Sequence, residues 1–411
     1  MSLSRRDFLM AAQVPPAPGQ EPAPQPRPEA PLLPSAALPY DQLPGAYRQA
    51  MQRARIIFGV LLSLAAGVLW AQEAGPRLFS QTRPAMGASF TIHLYAADQR
   101  RAAALFDMAF EEVERVEALL SNYRPSSELS RINREAARAP VVTDPEMFAF
   151  LEEAFGLSRR SEGAFDITVG PLARAWGFFR GAGRLPTRVE LAAARRAVGW
   201  RKVQLDSTAR TVRFLAPGVQ LDPGAIGKGY AVDRVIALLR DAGVESALVD
   251  AASSTLAALG APPGQPGWRV YVPRPGGRAP SISTVLLRDL SLSTSGSTAQ
   301  FFRAGGRTYS HIFDPRTGRP VEGILQDTVV APSAAASDAL STALFVLGPE
   351  AGRKLLGDVH GARALWVVGE PGAPRLITWN WPSPAAFAAA AAPRPPASSV
   401  LPESRARRRH P

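Results

Sequence analysis

The chain has 411 residues, of which 46% are hydrophobic and none is cysteine, and its formal net charge is +12. The missing cysteine excludes disulfides, thiolate metal sites, a cysteine nucleophile and a lipid-modified N-terminal cysteine. The charge alone would favour nucleic acid, but much of the excess lies in the flanks and the sequence has no zinc-finger spacing or aromatic RNA-binding motif. We therefore expect no specific nucleic-acid partner.

The two ends of the chain do not read as globular. Residues 1–50 are proline-rich and predicted to be disordered, and Met51 is an alternative start. Residues 51–74 place arginines before the apolar run 56–71, the pattern of a secretory signal. The run is short for a membrane span, which favours a cleaved signal over an anchor. The Ala/Pro/Arg-rich tail, residues 382–411, is again predicted to be disordered.

A single folded region is expected over residues 79–381. Alternation predicts a strand at 89–95, and helical spacing predicts an amphipathic helix at 101–120 and a second helix at about 145–160. Thr187 and Glu190 form a capping box for a short helix. Further strands are predicted at 203–206, 211–215, 219–222, 247–250, 268–272, 284–292, 308–313, 327–331 and 364–368. Strands outnumber helices, so the expected fold is α+β, with mixed, largely antiparallel sheets and packed helices.

The stretch 222–230 reads as the end of a strand, a glycine-rich turn and the start of a helix. Glycines let backbone approach a ligand, and amides at a helix start attract anions, so phosphate is the natural guest. Lys228 lies inside the turn and is one of only three lysines in the chain. The alternative is an ordinary turn with a solvated lysine, and the stretch lacks the Ser or Thr of a Walker A loop.

Asp338 and Thr342 stand four apart in a predicted helix, which puts a carboxylate and a hydroxyl on one face. Such hard oxygen ligands suit Mg²⁺, which often shares its shell with substrate phosphate. The alternative is that Ser337 and Asp338 merely cap the helix. We expect this helix and the 222–230 stretch to form two halves of one site.

Two further stretches offer polar groups. Residues 293–296 carry hydroxyls at a strand end, and His311 precedes a turn at 314–318. Hydroxyl-rich turn chemistry and a histidine satisfied by backbone are the alternatives.

In this order the motifs resemble the ApbE family of FAD:protein FMN transferases, from about Met86 to Gly348. The resemblance rests on Met86-Gly87, 120–124, 127–133, 163–166, 222–233, 293–296, His311-Ile312, Asp314-Pro315 and 337–343. It implies an FAD pocket lined by Met86, Tyr123, Ala164, Phe165, Asp166, Asp222, Lys228 and Ile312. It also implies Mg²⁺ ligation by the backbone oxygen of Ala225 and the side chains of Asp338 and Thr342.

The resemblance further implies transfer of FMN from FAD to a threonine or serine hydroxyl of a partner protein, with release of AMP. The predicted catalytic residues are Lys228, Asp338 and His311, although the sequence leaves the general base open. We expect export to the periplasmic side of a bacterial inner membrane, either soluble or held there by residues 56–71. The alternatives are an FAD pyrophosphatase and a non-catalytic flavin-binding protein.

One segment departs from the family pattern. Many members carry Gly-Gly-Asp or Gly-Gly-Asn where this chain has Ala252-Ser253-Ser254. This leaves open the local backbone shape and the choice of partner.

Overall fold

The structure is a computed structural model that describes residues 75–179, 181–276, 281–370 and 372–382. Residues 1–50 and 51–74, and the tail beyond residue 382, lie outside the described residues, so their predicted disorder and export signal stay predictions. Among the described helices, none has the length and apolar character needed to cross a bilayer.

An eight-stranded sheet forms the centre of the fold, and every neighbouring pair in it is antiparallel. In spatial order its strands are β1 (Arg77–Ala85), β2 (Ala88–Ala96), β6 (Ala247–Ala251), β7 (Thr255–Leu259), β10 (Ser291–Gly296), β15 (Ile324–Ala331), β16 (Arg363–Val368) and β17 (Arg375–Trp379). The predicted α+β class with antiparallel sheets is confirmed.

Four smaller sheets are also antiparallel. They comprise β3 (Val141–Val142), β5 (Thr211–Phe214) and β4 (Val203–Asp206); β8 (Trp268–Val272) and β9 (Ser283–Leu287); β11 (Phe301–Ala304) and β12 (Arg307–Ser310); and β13 (Phe313–Asp314) and β14 (Arg319–Pro320). The helices are α1 (Gln99–Leu120), α2 (Glu128–Glu135), α3 (Pro145–Arg160), α4 (Gly170–Ala175), α5 (Arg188–Ala197), α6 (Gly227–Asp241) and α7 (Ala334–Gly357).

The two faces of the central sheet are covered differently. Alternation in β2 buries Phe90, Ile92 and Leu94 against a core that includes α1, α6 and α7. The opposite face packs on the β8–β9 hairpin through residues such as Leu248 and Trp268. Because α6 and α7 share one face, the two predicted halves of the site lie on the same side of the sheet.

The longer predicted elements are confirmed. Helix α1 buries the predicted inner-face residues Leu105, Ala109, Val113, Val116 and Leu120, and α3 matches the second helix. The capping box is present, because Thr187 Oγ1 accepts from the Glu190 amide and Glu190 accepts from the Thr187 amide.

The predicted strand at 219–222 is wrong. Apart from one isolated parallel bridge at Gln220, this segment pairs with no strand among the described residues. The side chain of Asn133 satisfies Leu221 instead, accepting from its amide at 2.7 Å and donating to its carbonyl at 3.0 Å. An extended backbone with side-chain partners has the same apolar pattern as a strand.

Two other predicted strands are each divided. Residues 284–292 split into β9 and β10, which belong to different sheets and are separated by a turn in which Asp289 has a φ of 52°. Residues 308–313 split into β12 and β13. Neither break is marked by glycine or proline, the residues that usually punctuate strands.

Candidate functional site

Helices α6 and α7 meet in direct backbone contact. A Cβ on Gly229, in the first turn of α6, would lie 2.2 Å from the Ala334 carbonyl oxygen, so only glycine fits there. The Gly229 amide donates to Asp338 Oδ2 at 3.0 Å. For this glycine the close approach serves helix packing, which corrects the expectation of a direct approach to a ligand.

Asp338 is buried, and its second oxygen Oδ1 accepts from the Thr255 hydroxyl at 3.0 Å. It is not a capping residue, because α7 begins at Ala334 with Ser333 as its N-cap. Asp233 completes that cap, accepting from the Ala334 and Ala335 amides at 2.6 and 2.8 Å. Burial raises the pKa of Asp233 to about 6 although these two amide hydrogen bonds oppose the shift.

Serine hydroxyls join α7 to the sheet below it. Ser337 Oγ lies 2.7 Å from both Ser291 Oγ and Ser293 Oγ, and Ser295 Oγ lies 2.8 Å from Ser341 Oγ. The 293–296 stretch is therefore part of β10 with hydroxyls turned to α7, and the turn-chemistry alternative does not hold. We call the contact formed by Gly229, Asp233, Thr255, Asp338 and this serine network the helix junction.

The oxygens at the helix junction fit a hard divalent cation. Gly229 is the third residue of α6, where an amide has no acceptor within the helix, and Asp338 accepts from it instead. Among the described residues, the Ala225 carbonyl and the Thr342 hydroxyl make no hydrogen bond, and no cation contacts Asp338. A carbonyl, a hydroxyl and a carboxylate are donors that Mg²⁺ takes.

No group of three or more His, Cys, Asp or Glu side chains that could hold a metal occurs in the described part of the chain. The predicted ligand set does not require one, because it contains a single carboxylate.

Lys228 lies in the first turn of α6, one residue past the helix start and not in the loop as predicted. Helix α6 has no side-chain cap. Within the described ranges, the amides of Ala225 and Lys228 have no acceptor, whereas the Lys228 ammonium lies 3.4 Å from the Gly224 carbonyl. Two free amides and an ammonium at a helix start favour an anion.

Asp222 stabilises the loop before α6. Its Oδ1 accepts from the Gly224 amide at 3.0 Å, and the side chain of Asn122 also donates to it. Burial raises the pKa of Asp222 against these hydrogen bonds and the nearby charges of Arg174 and Lys228.

His311 is half-buried, with Nδ1 3.1 Å from the Gln300 carbonyl oxygen. A carbonyl only accepts, so Nδ1 carries the hydrogen and Nε2 keeps a lone pair. Burial lowers the pKa of His311 to about 4, and the Lys228 ammonium adds to the shift. The ring is therefore neutral at pH 7, and the backbone-satisfied alternative holds for Nδ1.

Met86 and Tyr123 lie near the start of α6. Met86 sits in the β1–β2 turn with a φ of 51°, and its Cε lies 3.8 Å from the position of a Cβ on Gly227. Tyr123 is 50% exposed and stacks on Phe179 at 4.9 Å, while Arg174 lies 3.7 Å from the same ring.

The predicted segment 164–166 is buried. Ala164 and Phe165 belong to the interior, so they can face a ligand only through their backbone. The Asp166 carboxylate accepts from the Thr168 amide, the Thr168 hydroxyl and the Trp200 amide at 2.8, 2.7 and 2.7 Å. Burial raises its pKa against those bonds. Ile312 is also buried.

The departure at Ala252-Ser253-Ser254 keeps a tight turn between β6 and β7. Ala252 and Ser253 adopt φ values of 59° and 56°, a conformation that glycine takes without strain. Asp250 Oδ1 accepts from the Ser253 amide at 2.6 Å and supports the turn. The tight turn is thus formed with side chains present at both left-handed positions.

Sequence reasoning missed Thr255 and the capping role of Asp233. Asp233 lies inside a segment noted for other reasons and Thr255 lies directly after one, but their partners lie 101 and 83 residues away in the chain. Only the fold brings these groups together.

The fold and the helix junction define a class of protein: an antiparallel α+β domain in which a helix start with free amides lies beside a buried carboxylate, an arrangement that suits a phosphate-bearing ligand. The ApbE family model matches residues 86–366. The chain therefore belongs to the ApbE family.

Relatives and solved structures agree. The chain is 34% identical over 332 residues to the FAD:protein FMN transferase of Treponema pallidum, covering 75% of this chain and 90% of the relative. It is 31% identical to that of Salmonella typhimurium, covering 66% and 79%. The apo flavinyl transferase ApbE of Pseudomonas stutzeri superposes with a TM-score of 0.67 at 32% identity, covering 77% and 97%.

Proposed function

We propose that this protein is an FAD:protein FMN transferase that moves the FMN moiety of FAD onto a threonine or serine hydroxyl of a partner protein and releases AMP. Family membership and the names of the relatives support the activity. The observation that carries it is the helix junction, where the free amides and ammonium of α6 adjoin a buried carboxylate without a cationic partner among the described residues.

The bond changes are those of phosphoryl transfer. The acceptor oxygen bonds to the phosphorus of the FMN phosphate, the bridging P–O bond to the AMP phosphate breaks, and the hydroxyl proton moves to a base. Catalysis of this kind depends mainly on positioning and charge neutralisation. The nucleophile arrives on the partner, so none is needed in this chain.

The start of α6 would hold the pyrophosphate of FAD. The amides of Ala225 and Lys228 and the Lys228 ammonium are donors for phosphate oxygens, and the helix dipole adds to the attraction. Tyr123, which stacks on Phe179, would be an aromatic neighbour for a flavin or adenine ring.

Asp338, Thr342 and the Ala225 carbonyl would hold Mg²⁺. The ion, when bound, supplies charge neutralisation at the pyrophosphate. Asp338 also makes the site rigid, because its two oxygens accept hydrogen bonds from α6 and β7 and so connect both elements to α7.

His311 is our candidate for the proton acceptor. Its Nε2 lone pair is available at neutral pH, since burial lowers the ring pKa to about 4. A pKa of about 4 keeps the ring neutral near pH 7 and makes it a weak base. The predicted signal at residues 51–74 supports an acceptor on the periplasmic side.

The test is to incubate the protein with FAD, Mg²⁺ and a candidate acceptor protein carrying a flavinylation threonine, and to weigh the acceptor by intact mass spectrometry. We expect a gain of one FMN residue with an equal amount of AMP. AMP without a mass gain would assign hydrolysis instead, and neither product would leave a flavin-binding protein.

A further inference from the structure

A cavity of about 430 Å³ opens on the surface beside the 3₁₀ turn at Trp200–Lys202. Its lining includes Trp200 and four arginines, Arg195, Arg196, Arg201 and Arg316. We call it the arginine cavity. Its lining includes neither Lys228 nor any residue of the helix junction.

The arginines of this cavity are mostly unpaired. Arg316 is held by Asp314 through two hydrogen bonds of 2.9 and 3.0 Å. Arg195, Arg196 and Arg201 form no ion pair with any carboxylate in the described ranges, and Arg201 lies over the Trp200 ring at 4.5 Å. Three arginines without an ion pair among the described residues therefore line one concave surface.

Several arginines elsewhere in the described fold do form ion pairs. Arg115 contacts Glu112 and Glu146, Arg124 contacts Glu114, and Arg234 contacts Glu112. A lone exposed arginine is simply solvated, but like charges placed together repel one another unless an anion binds between them.

The lining of the cavity contains fewer carboxylates than arginines. Its two lining carboxylates are Glu162 and Asp166. Glu162 lies near Arg316, which already pairs with Asp314. The Asp166 carboxylate is engaged by Thr168 and the Trp200 amide.

The arginine cavity is close to the proposed FAD site. Asp166 lines the cavity, and the carbonyl of the next residue, Ile167, accepts from the Asp222 amide at 2.6 Å. Asp222 in turn holds the loop that leads to Lys228. A polypeptide lying across this short distance can place one residue in the cavity and another at the pyrophosphate.

We infer that the arginine cavity binds an acidic side chain of the acceptor protein, a few residues from the hydroxyl that receives FMN. The inference rests on the proposed function. Guanidinium groups pair well with carboxylates, and the fork geometry adds orientation to attraction. The pyrophosphate of FAD has its own donors at α6, so a second anion remains for the cavity.

The test uses two labelled fifteen-residue peptides, each with one central threonine flanked by two Asp residues in the first peptide and by two Asn residues in the second. Fluorescence anisotropy measures their binding to the full-length protein at low and at moderate salt. We expect the Asp peptide to bind about tenfold more tightly at low salt. The preference should shrink as salt rises.

Two double variants with the same change of charge locate the effect. Arg195→Glu/Arg196→Glu should abolish the preference for Asp. Arg269→Glu/Arg288→Glu alters exposed arginines at the β8–β9 hairpin, on the other face of the sheet, and should retain it. Equal binding of the two peptides to the wild type, or a preference that survives in the first variant, would overturn the inference.

FAD affinity is the remaining measurement of the test. Flavin fluorescence should give the same FAD affinity for both double variants and the wild type. A loss confined to the cavity variant would assign the cavity to the nucleotide and overturn a role in acceptor binding. Peptide binding requires no turnover, so failure of FMN transfer is read separately from failure of this inference.

Discussion

The helix junction and the arginine cavity differ in how their charged side chains are paired. At the junction, Asp233 and Asp338 are satisfied by backbone amides and a hydroxyl from distant segments, in a contact where glycine alone fits. At the cavity, Arg195, Arg196 and Arg201 are exposed and pair with no acid among the described residues.

This difference in the pairing of charged side chains indicates the role of each region. Chemistry on a pyrophosphate requires donors fixed before the substrate arrives, because reorganisation would cost free energy during the reaction. Recognition of a partner requires charges that remain available. The junction is therefore expected to be intolerant of substitution, whereas the cavity should tolerate it and change only binding.

Gly229→Ala should have the largest effect. The new Cβ would overlap the Ala334 carbonyl at 2.2 Å and force α6 away from α7. We expect a loss of more than about 3 kcal/mol in the free energy of unfolding, together with loss of FAD binding. Urea denaturation measures the first quantity.

Gly227→Ala is the matched control for that variant. Its Cβ would meet Pro223 at 3.5 Å, an ordinary contact. If both variants unfolded alike, the backbone contact at Gly229 would not be the constraint that we describe.

Lys228→Met should weaken FAD binding by about tenfold or more, because a charge-assisted contact to the pyrophosphate is lost. Riboflavin, which has no phosphate, should bind as before. Flavin fluorescence titration measures both ligands, and Lys354→Met serves as the lysine control. An equal loss for riboflavin would argue against a phosphate contact.

Asp327 is a buried acid outside the helix junction and the arginine cavity. It provides a third case to compare with the charged groups of these two regions. It pairs in register with Ser295 and Trp366, and neither carboxylate oxygen has a partner among the described residues. Burial raises the pKa of Asp327 well above its usual range. An acid whose pKa is higher in the folded state than in the unfolded state stabilises the fold at low pH. This stabilisation is lost as the pH rises from about 4 toward the folded-state pKa.

We therefore expect Asp327→Asn to be more stable than the wild type at pH 7.5, with an advantage that declines as pH falls toward 4. The slope of the difference is at most about 1.4 kcal/mol per pH unit. Urea unfolding at pH 4.5, 6 and 7.5 measures this difference in the free energy of unfolding. Asp233 and Asp250 are present in both proteins, so their contributions cancel in the difference. A difference independent of pH would contradict a buried, unpartnered acid.

The smallest effect is expected at the β6–β7 turn. Ala252→Gly/Ser253→Gly should stabilise the fold by about 1 kcal/mol, because the left-handed backbone carries no penalty in glycine. Ala193→Gly, in helix α5, should instead destabilise by up to about 1 kcal/mol. A destabilised turn variant would show that the side chains of Ala252 and Ser253 make contacts of their own.

The sequence predicted elements whose signal is local. The buried stripe of α1 and the capping box at Thr187 follow from residues within one helix, and both are confirmed. The segment at Leu221 was misread because Asn133, 88 residues away, replaces strand partners.

The candidate site shows the same limit. Asp338 and Thr342 could be paired from helical spacing, but neither the Gly229–Asp338 hydrogen bond nor the arginine cavity has a local pattern. The cavity joins α5, the Trp200 turn and the loop at Arg316, which meet only in the fold.

FMN transfer by this protein is expected to depend on a cation held by Asp338 at the helix junction. The most direct measurement is the Mg²⁺ concentration that gives the half-maximal rate of FMN transfer, in the wild type, Asp338→Asn and Asp327→Asn. These two buried aspartates lie on α7 and on β15. We predict at least a tenfold increase for Asp338→Asn, with a lower maximal rate, and no change for Asp327→Asn. An unchanged Mg²⁺ requirement in Asp338→Asn, or the same shift in both variants, would contradict the account.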